Sequence, residues 1–264
     1  MLVAYLSMTI KEALSGSHLS ALDAEVLLAH ILEKDRTFLM AHPEHEVTGE
    51  EMARFRSYVH RSEAGEPVAY ILGEKEFFGR AFLVDSRVLI PRPATERLVE
   101  IALQFLDNPR PSMQEIDSGI VAVTRVLREI TPTTIIDIGT GSGCIAITLQ
   151  LEGRTEKIIG VDTSENALSV ARSNAEAWNA NMKWACSDGA EFIRSRKEPF
   201  LVISNPPYIP EGTVLDDTVQ MYEPHSALFA GRDGRDVLRP LISACEEHPL
   251  CTGYVMELRE DQTF

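Results

Sequence analysis

The stretch Ile135-Ile136-Asp137-Ile138-Gly139-Thr140-Gly141-Ser142-Gly143 runs from a short apolar strand into a glycine-rich turn, after which Ile145, Ala146 and Leu149 recur at helical spacing. Glycine accepts positive φ and lets the backbone approach a ligand closely, so the turn suits a binding loop; a tight strand-to-helix turn with glycine for packing alone is the plainer alternative. Outward from this stretch, apolar strands over Thr134 to Ile138, Lys157 to Val161, Met182 to Cys186 and Phe200 to Ser204 alternate with helical segments. That alternation predicts parallel βαβ units and a doubly wound α/β sheet, whose ligands bind beyond the carboxyl ends of the strands. The glycine turn lies at one of those ends.

The loop does not read as a dinucleotide site. A G-x-G-x-x-G fingerprint needs a third glycine at the position of Cys144, whereas the spacing here is G-x-G-x-G. Asp137, at its strand end, would repel a pyrophosphate and suits a cationic ligand. Asp162, at the end of the next strand, is placed to accept hydrogen bonds from ribose hydroxyls. Both features fit S-adenosylmethionine, whose ribose and charged amino-acid portion carry no phosphate. The cofactor candidates are therefore Asp137, Gly139, Thr140, Gly141, Ser142, Gly143 and Asp162. Asp188 and Gly189, after the third strand, are candidates for the adenine edge, although an Asp at a strand end is more often a helix cap.

Ser204-Asn205-Pro206-Pro207-Tyr208 follows the fourth strand and so falls at the same rim. A planar NH₂ group needs two acceptors to fix its hydrogens, and the Asn205 side-chain oxygen with the Pro206 carbonyl can supply them. Pro206 and Pro207 fix φ and hold the turn without reorganisation. Tyr208 can stack on the planar group, and its ring face tolerates positive charge nearby. This pattern predicts methylation of an amide or amine nitrogen, with Asn205, Pro206 and Tyr208 as catalytic candidates and Asn205 to Tyr208 as the substrate site. Asn205 also counts as a cofactor contact.

The 264 residues, 44% of them hydrophobic, suffice for one large domain and one small one. Helical spacing between Ser20 and Lys34, and a second helix opening on Thr48 and Glu51 at capping-box spacing, predict a helical domain over residues 1–62. Gly65, Pro67, Gly73 and Gly79 punctuate an aromatic segment with Tyr70, Phe77, Phe78 and Phe82, which predicts a hairpin-like linker over 63–93. The catalytic domain is then 94–264. Within it a helix over Thr95 to Leu106 is expected, followed by a further helical pattern through Ile116, Ile120, Val123, Leu127 and Ile130.

A formal charge of −15 argues against affinity built on phosphate neutralisation, so no direct nucleic-acid partner is expected. Cys144, Cys186, Cys245 and Cys251 lack C-x-x-C spacing and read as buried free thiols, and the seven histidines form no H-E-x-x-H pattern, so no metal is assigned. No apolar run is long enough to cross a bilayer, and Met1 to Glu12 lack a basic segment and a cleavage site. A cytoplasmic address, away from membranes, is the expectation.

The chain resembles the release-factor glutamine methyltransferase family, also called the HemK family. The resemblance runs from the helix with Leu22 to Leu32 through Pro67-Val68-Ala69-Tyr70-Ile71-Leu72-Gly73 and Val88-Leu89-Ile90-Pro91-Arg92-Pro93, then through the glycine loop, Asn205 to Tyr208, and Gly231-Arg232-Asp233-Gly234. It implies a Rossmann-like methyltransferase sheet with a small N-terminal helical domain that helps recognise peptide-chain release factors. S-Adenosylmethionine would sit at residues 139 to 143, Asp162 and Asn205, and Asn205 to Tyr208 would hold the glutamine of a Gly-Gly-Gln motif. Ala94 and Gly189 depart from the family pattern, which has Glu at the first position and often an aromatic residue at the second. The Asn-Pro-Pro-Tyr motif alone is shared with nucleic-acid amino-methyltransferases acting on adenine, and a ribosomal-protein glutamine is an alternative substrate within the family. An end at Phe264, soon after Val255-Met256-Glu257-Leu258, predicts an incomplete sheet edge.

Overall fold

The computed structural model describes residues 8–154 and 156–263. Residues 1–7, where much of the leader reading falls, and Phe264 lie outside the described residues. The chain divides into two compact units, one running to Gly73 and including Asp216–Tyr222, the other formed by Glu74–Leu215 and Glu223–Phe264.

The first unit is helical. It contains α1 (Ile10–Ser15), α2 (Ala21–Leu32), α3 (Arg36–Ala41), α4 (Gly49–Glu63) and α5 (Val68–Leu72), together with a short antiparallel pair, β1 (Met8–Thr9) and β2 (Glu46–Val47). Side chains set the helix starts. Ser20 accepts from the Asp23 N–H, and Thr48 and Glu51 form the reciprocal capping box that their spacing predicts. Leu27, Leu28 and Ile31 of α2 pack with Leu39, Phe55 and Ile71 in one core. Ile71 is buried there, so the compact unit continues past residue 62 and reaches Gly73.

The second unit is an α/β sheet built from β5 to β11. It opens on an antiparallel hairpin, β3 (Glu74–Phe77) and β4 (Arg80–Leu83), followed by α6 (Pro93–Asp107). Then come β5 (Ser112–Asp117), β6 (Ile120–Val126), β7 (Thr134–Ile138), α7 (Cys144–Leu151), β8 (Lys157–Asp162), α8 (Glu165–Ala177), β9 (Lys183–Cys186), α9 (Gly189–Arg194) and β10 (Phe200–Ser204). The short helix α10 (Asp217–Tyr222) belongs to the first unit, where the Tyr222 hydroxyl donates to the Ala64 carbonyl at 3.1 Å. α11 (His225–Leu228), α12 (Leu238–Glu247) and β11 (Cys251–Arg259) complete the second.

Among the described residues the main sheet has seven strands in the order β5-β6-β11-β10-β7-β8-β9. The five from β11 to β9 are parallel, as the alternation predicts, and β6 and β5 are antiparallel. Alternate residues of β7 enter different cores: Ile135 packs with Leu98 and Ala146, whereas Ile136 and Ile138 pack with Ile193 and Leu241. Both faces are therefore covered by helices, which is why the strands read as continuous apolar runs.

Three expectations are corrected here. The segment expected to be helical from Ile116 to Ile130 forms a β-hairpin as far as Val126, with Leu127 and Ile130 beyond it, because Ile120 to Val126 is rich in β-branched residues and Gly119, at φ +74°, makes the turn between β5 and β6. That hairpin also changes the status of β11, which lies between β10 and β6, with Glu257 opposite Ala122. The segment Val255 to Leu258 is thus an interior strand and not an open edge. Cys186 is exposed while the other three cysteines are buried, because it ends β9, which itself lies at a sheet edge. No helix of the described residues is long and apolar enough to cross a membrane.

Candidate functional site

Residues at the carboxyl ends of β7, β8 and β10 build one rim. The glycine loop leaves β7 and is anchored at once, since the Gly139 and Thr140 amides donate to the Val161 carbonyl at 2.9 and 3.0 Å. Gly139, Gly141 and Gly143 have φ of +72°, +54° and +81°. A side chain at any of them would be strained, which explains the G-x-G-x-G spacing. Buried Asn174 of α8 secures the loop from behind: its Nδ2 donates to the carbonyls of Ser142 and Leu83, and its Oδ1 accepts from the Leu83 N–H.

Asp137 does not reach the rim. It is fully buried beneath the loop, where Oδ2 accepts from the Thr140 hydroxyl at 2.7 Å and from the Ala146 N–H at 3.2 Å. Oδ1 has no partner among the described residues. Burial raises its pKa from 3.8 to about 7, against the lowering effect of those two donors. The chain's own carboxylate therefore occupies the start of α7, where a phosphate would otherwise bind. Asp137 thus braces the loop from beneath and does not line the cavity.

Asp162 is placed differently. Oδ2 accepts the Gly141 N–H at 3.0 Å and Oδ1 the Ser164 N–H at 2.9 Å, so each oxygen keeps a lone pair for a further donor. Asp162 borders a cavity of about 260 Å³, together with Gly139, Gly141, Asp188, Gly189 and Asn205. Thr140, Ser142 and Gly143 lie behind that surface. Asp188 is the N-cap of α9, accepting from the Glu191 N–H, and it also borders the cavity. At Gly189 a β-carbon would stand 2.5 Å from Ile138 Cγ2, so Ile138 fills the space that a larger residue would need. Val88, Leu89, Val161 and Leu241 add apolar walls, and Arg87, ion-paired with Asp85, also borders the cavity.

Asn205 and Pro207 border the same cavity. Asn205 Nδ2 donates to Thr95 Oγ1 at 3.0 Å, which leaves Oδ1 as an acceptor. Pro206 is buried. Tyr208 turns its hydroxyl to Glu257 Oε1 at 2.9 Å; burial and that neighbouring carboxylate push its pKa up, so it stays a neutral phenol. The turn is held from below by the Gly231-Arg232-Asp233-Gly234 segment. Gln262 Nε2 donates to the carbonyls of both Tyr208 and Gly234, at 3.0 and 3.1 Å.

Three residues of this site were not singled out by their local sequence. Glu257 is 2% exposed, and its pKa is raised by burial against donors from Tyr208, Thr95 and Asn205. A lone acid within the apolar run from Val255 to Leu258 was the available signal. Thr95, just after Ile-Pro-Arg-Pro, is equally buried. Glu223 accepts from the Ile90 N–H and from Arg92, tying the segment that supplies Val88 and Leu89 to the start of α11.

The pocket fits S-adenosylmethionine: an acceptor for ribose hydroxyls, apolar walls for adenine, and a loop whose helix start is closed to phosphate. The second unit is accordingly an S-adenosylmethionine-dependent methyltransferase domain, and residues 111–224 match the family described as Methyltransferase small domain. Residues 6–73 match the PrmC N-terminal domain. Over 263 residues the chain is 37% identical to the release factor glutamine methyltransferase of Koribacter versatilis, covering 95% of this chain and 86% of that protein. It is 35% identical to the Aliivibrio fischeri enzyme of the same name, covering 92% and 78%, and 37% identical to the Bacillus subtilis one, covering 80% and 68%. The chain belongs to the release factor glutamine methyltransferase family.

Proposed function

We propose that the chain methylates the side-chain amide nitrogen of a protein glutamine, and that this glutamine is the one in the Gly-Gly-Gln motif of peptide-chain release factors. The observation that carries the reading is the orientation of Asn205: its NH₂ is engaged by Thr95, so its oxygen is the group available to an incoming amide. S-Adenosylmethionine supplies an electrophilic methyl group. Asp162 and the glycine loop would hold its ribose, with Asp188 and Gly189 beside the adenine.

An amide nitrogen is a weak nucleophile because its lone pair is delocalised, so positioning has to lower the barrier. Asn205 Oδ1 and the Pro206 carbonyl accept the two amide hydrogens and aim the nitrogen. Pro206 and Pro207 keep those acceptors fixed, and neutral Tyr208 offers its ring to the planar group. We assign the first unit to recognition of the protein substrate, in keeping with its match to a family-specific N-terminal domain. The reading places the protein in the cytoplasm, acting on protein and not on nucleic acid.

Incubation with labelled S-adenosylmethionine and candidate release factors, followed by mapping of the label by mass spectrometry, tests this. Label on the Gly-Gly-Gln glutamine supports it; label on adenine in added nucleic acid and none on the release factor overturns it.

A further inference from the structure

Thr95, Asn205, Tyr208 and Glu257 come from three places in the chain and form one hydrogen-bond chain. Tyr208 donates to Glu257 Oε1 at 2.9 Å, Thr95 Oγ1 donates to Glu257 Oε2 at 3.3 Å, and Asn205 Nδ2 donates to Thr95 Oγ1 at 3.0 Å. Thr95 and Glu257 are 3% and 2% exposed, so solvent does not compete for these groups. Polarity runs one way along the chain. Because the Thr95 hydroxyl donates to Glu257, its hydrogen is spent there and its oxygen accepts from Asn205. That acceptor selects the Asn205 rotamer with NH₂ turned inward, which leaves Oδ1 available; the opposite rotamer would set Oδ1 against the Thr95 oxygen, two acceptors face to face.

We propose that Glu257, together with Thr95, is a positioning residue that sets which face of the Asn205 amide meets the substrate. The inference rests on the reading of Asn205 as acceptor for a substrate amide. Neither Glu257 nor Thr95 touches the reacting atoms. Glu257 also fixes Tyr208 through the other oxygen, so one buried acid orients both ends of the Asn-Pro-Pro-Tyr turn.

Thr95→Val and Thr95→Ser separate positioning from packing. Valine matches threonine in shape but lacks the hydroxyl, whereas serine keeps the hydroxyl and loses the methyl. The full chain would be assayed for methyl transfer to a release factor, with calorimetric affinity for S-adenosylmethionine and the thermal midpoint measured alongside. Thr95→Val is expected to lower kcat by roughly 10- to 100-fold, less than the loss of a directly contacting preorganised group, with KM and cofactor affinity unchanged. Thr95→Ser should rescue most of that loss. Near-native kcat in folded Thr95→Val, with Thr95→Ser the worse variant, would overturn the inference and leave a packing role. If Thr95→Val fails to fold, Thr95→Ala set against Thr95→Ser gives the same reading: a fall in kcat for the alanine variant alone, at unchanged cofactor affinity, supports it, and equal turnover in the two overturns it. Absence of transfer to any release factor by the native chain would instead overturn the functional reading on which the inference depends.

Discussion

Asp162 accepts the backbone N–H of Gly141 through Oδ2 at 3.0 Å, so a single carboxylate joins the end of β8 to the glycine loop that leaves β7. The same residue lines the cavity, so loop and pocket wall share one carboxylate.

Replacing Asp162 with alanine therefore removes a charged acceptor from the pocket and releases the loop. S-Adenosylmethionine affinity should fall by roughly 1.5–3 kcal/mol, the scale of a hydrogen bond to a charged group. Isothermal calorimetry on the folded variant checks this. Unchanged affinity would remove Asp162 from the site.

Asp137 makes a prediction about pH. Its folded pKa of about 7 lies above the ordinary 3.8, so between those values the folded chain keeps a proton that the unfolded chain has released. Stability from this group is therefore lost as pH rises from about 4 to about 7, by at most roughly 4 kcal/mol, and the loss levels off above that range. Asp137→Asn keeps an acceptor for Thr140 and Ala146 but does not titrate. Denaturation at a series of pH values should show the variant gaining on the native chain across that window and holding its gain beyond it. A stability difference that is constant with pH would contradict the assignment.

Gly234 tests the support beneath the Asn-Pro-Pro-Tyr turn. It has φ +73°, and a β-carbon there would lie 2.2 Å from the Tyr208 carbonyl oxygen. Gly234→Ala must move the Tyr208 backbone or itself, at a cost of roughly 1–3 kcal/mol. Turnover should drop with only a small change in cofactor affinity. A variant as stable and active as the native chain would show that the turn does not depend on this contact.

Much of the architecture was legible because β7, β8 and β10 are buried on both faces and appear as unbroken apolar runs between helices. The glycine loop followed from its strand and its spacing. The hairpin of β5 and β6 was not legible, since Ile116, Ile120, Val123, Leu127 and Ile130 also satisfy a helical period, and the partner that decides the matter, β11, lies far along the chain. Local sequence likewise put Asp137 beside the ligand. A strand-end carboxylate can point outward or turn under the loop, and only the positions of Thr140 and Ala146 distinguish the two. Glu257 and Thr95 stayed hidden for a related reason, because their role exists only where β10, β11 and α6 meet.

Single-turnover methyl transfer by Asn205→Ala at saturating S-adenosylmethionine tests the central claim most directly, since it separates orientation of the acceptor amide from cofactor binding. With one of two preorganised acceptors removed, the rate on a release factor should fall by ~10²–10³, while cofactor affinity changes much less. Near-native transfer by the folded variant would contradict the account.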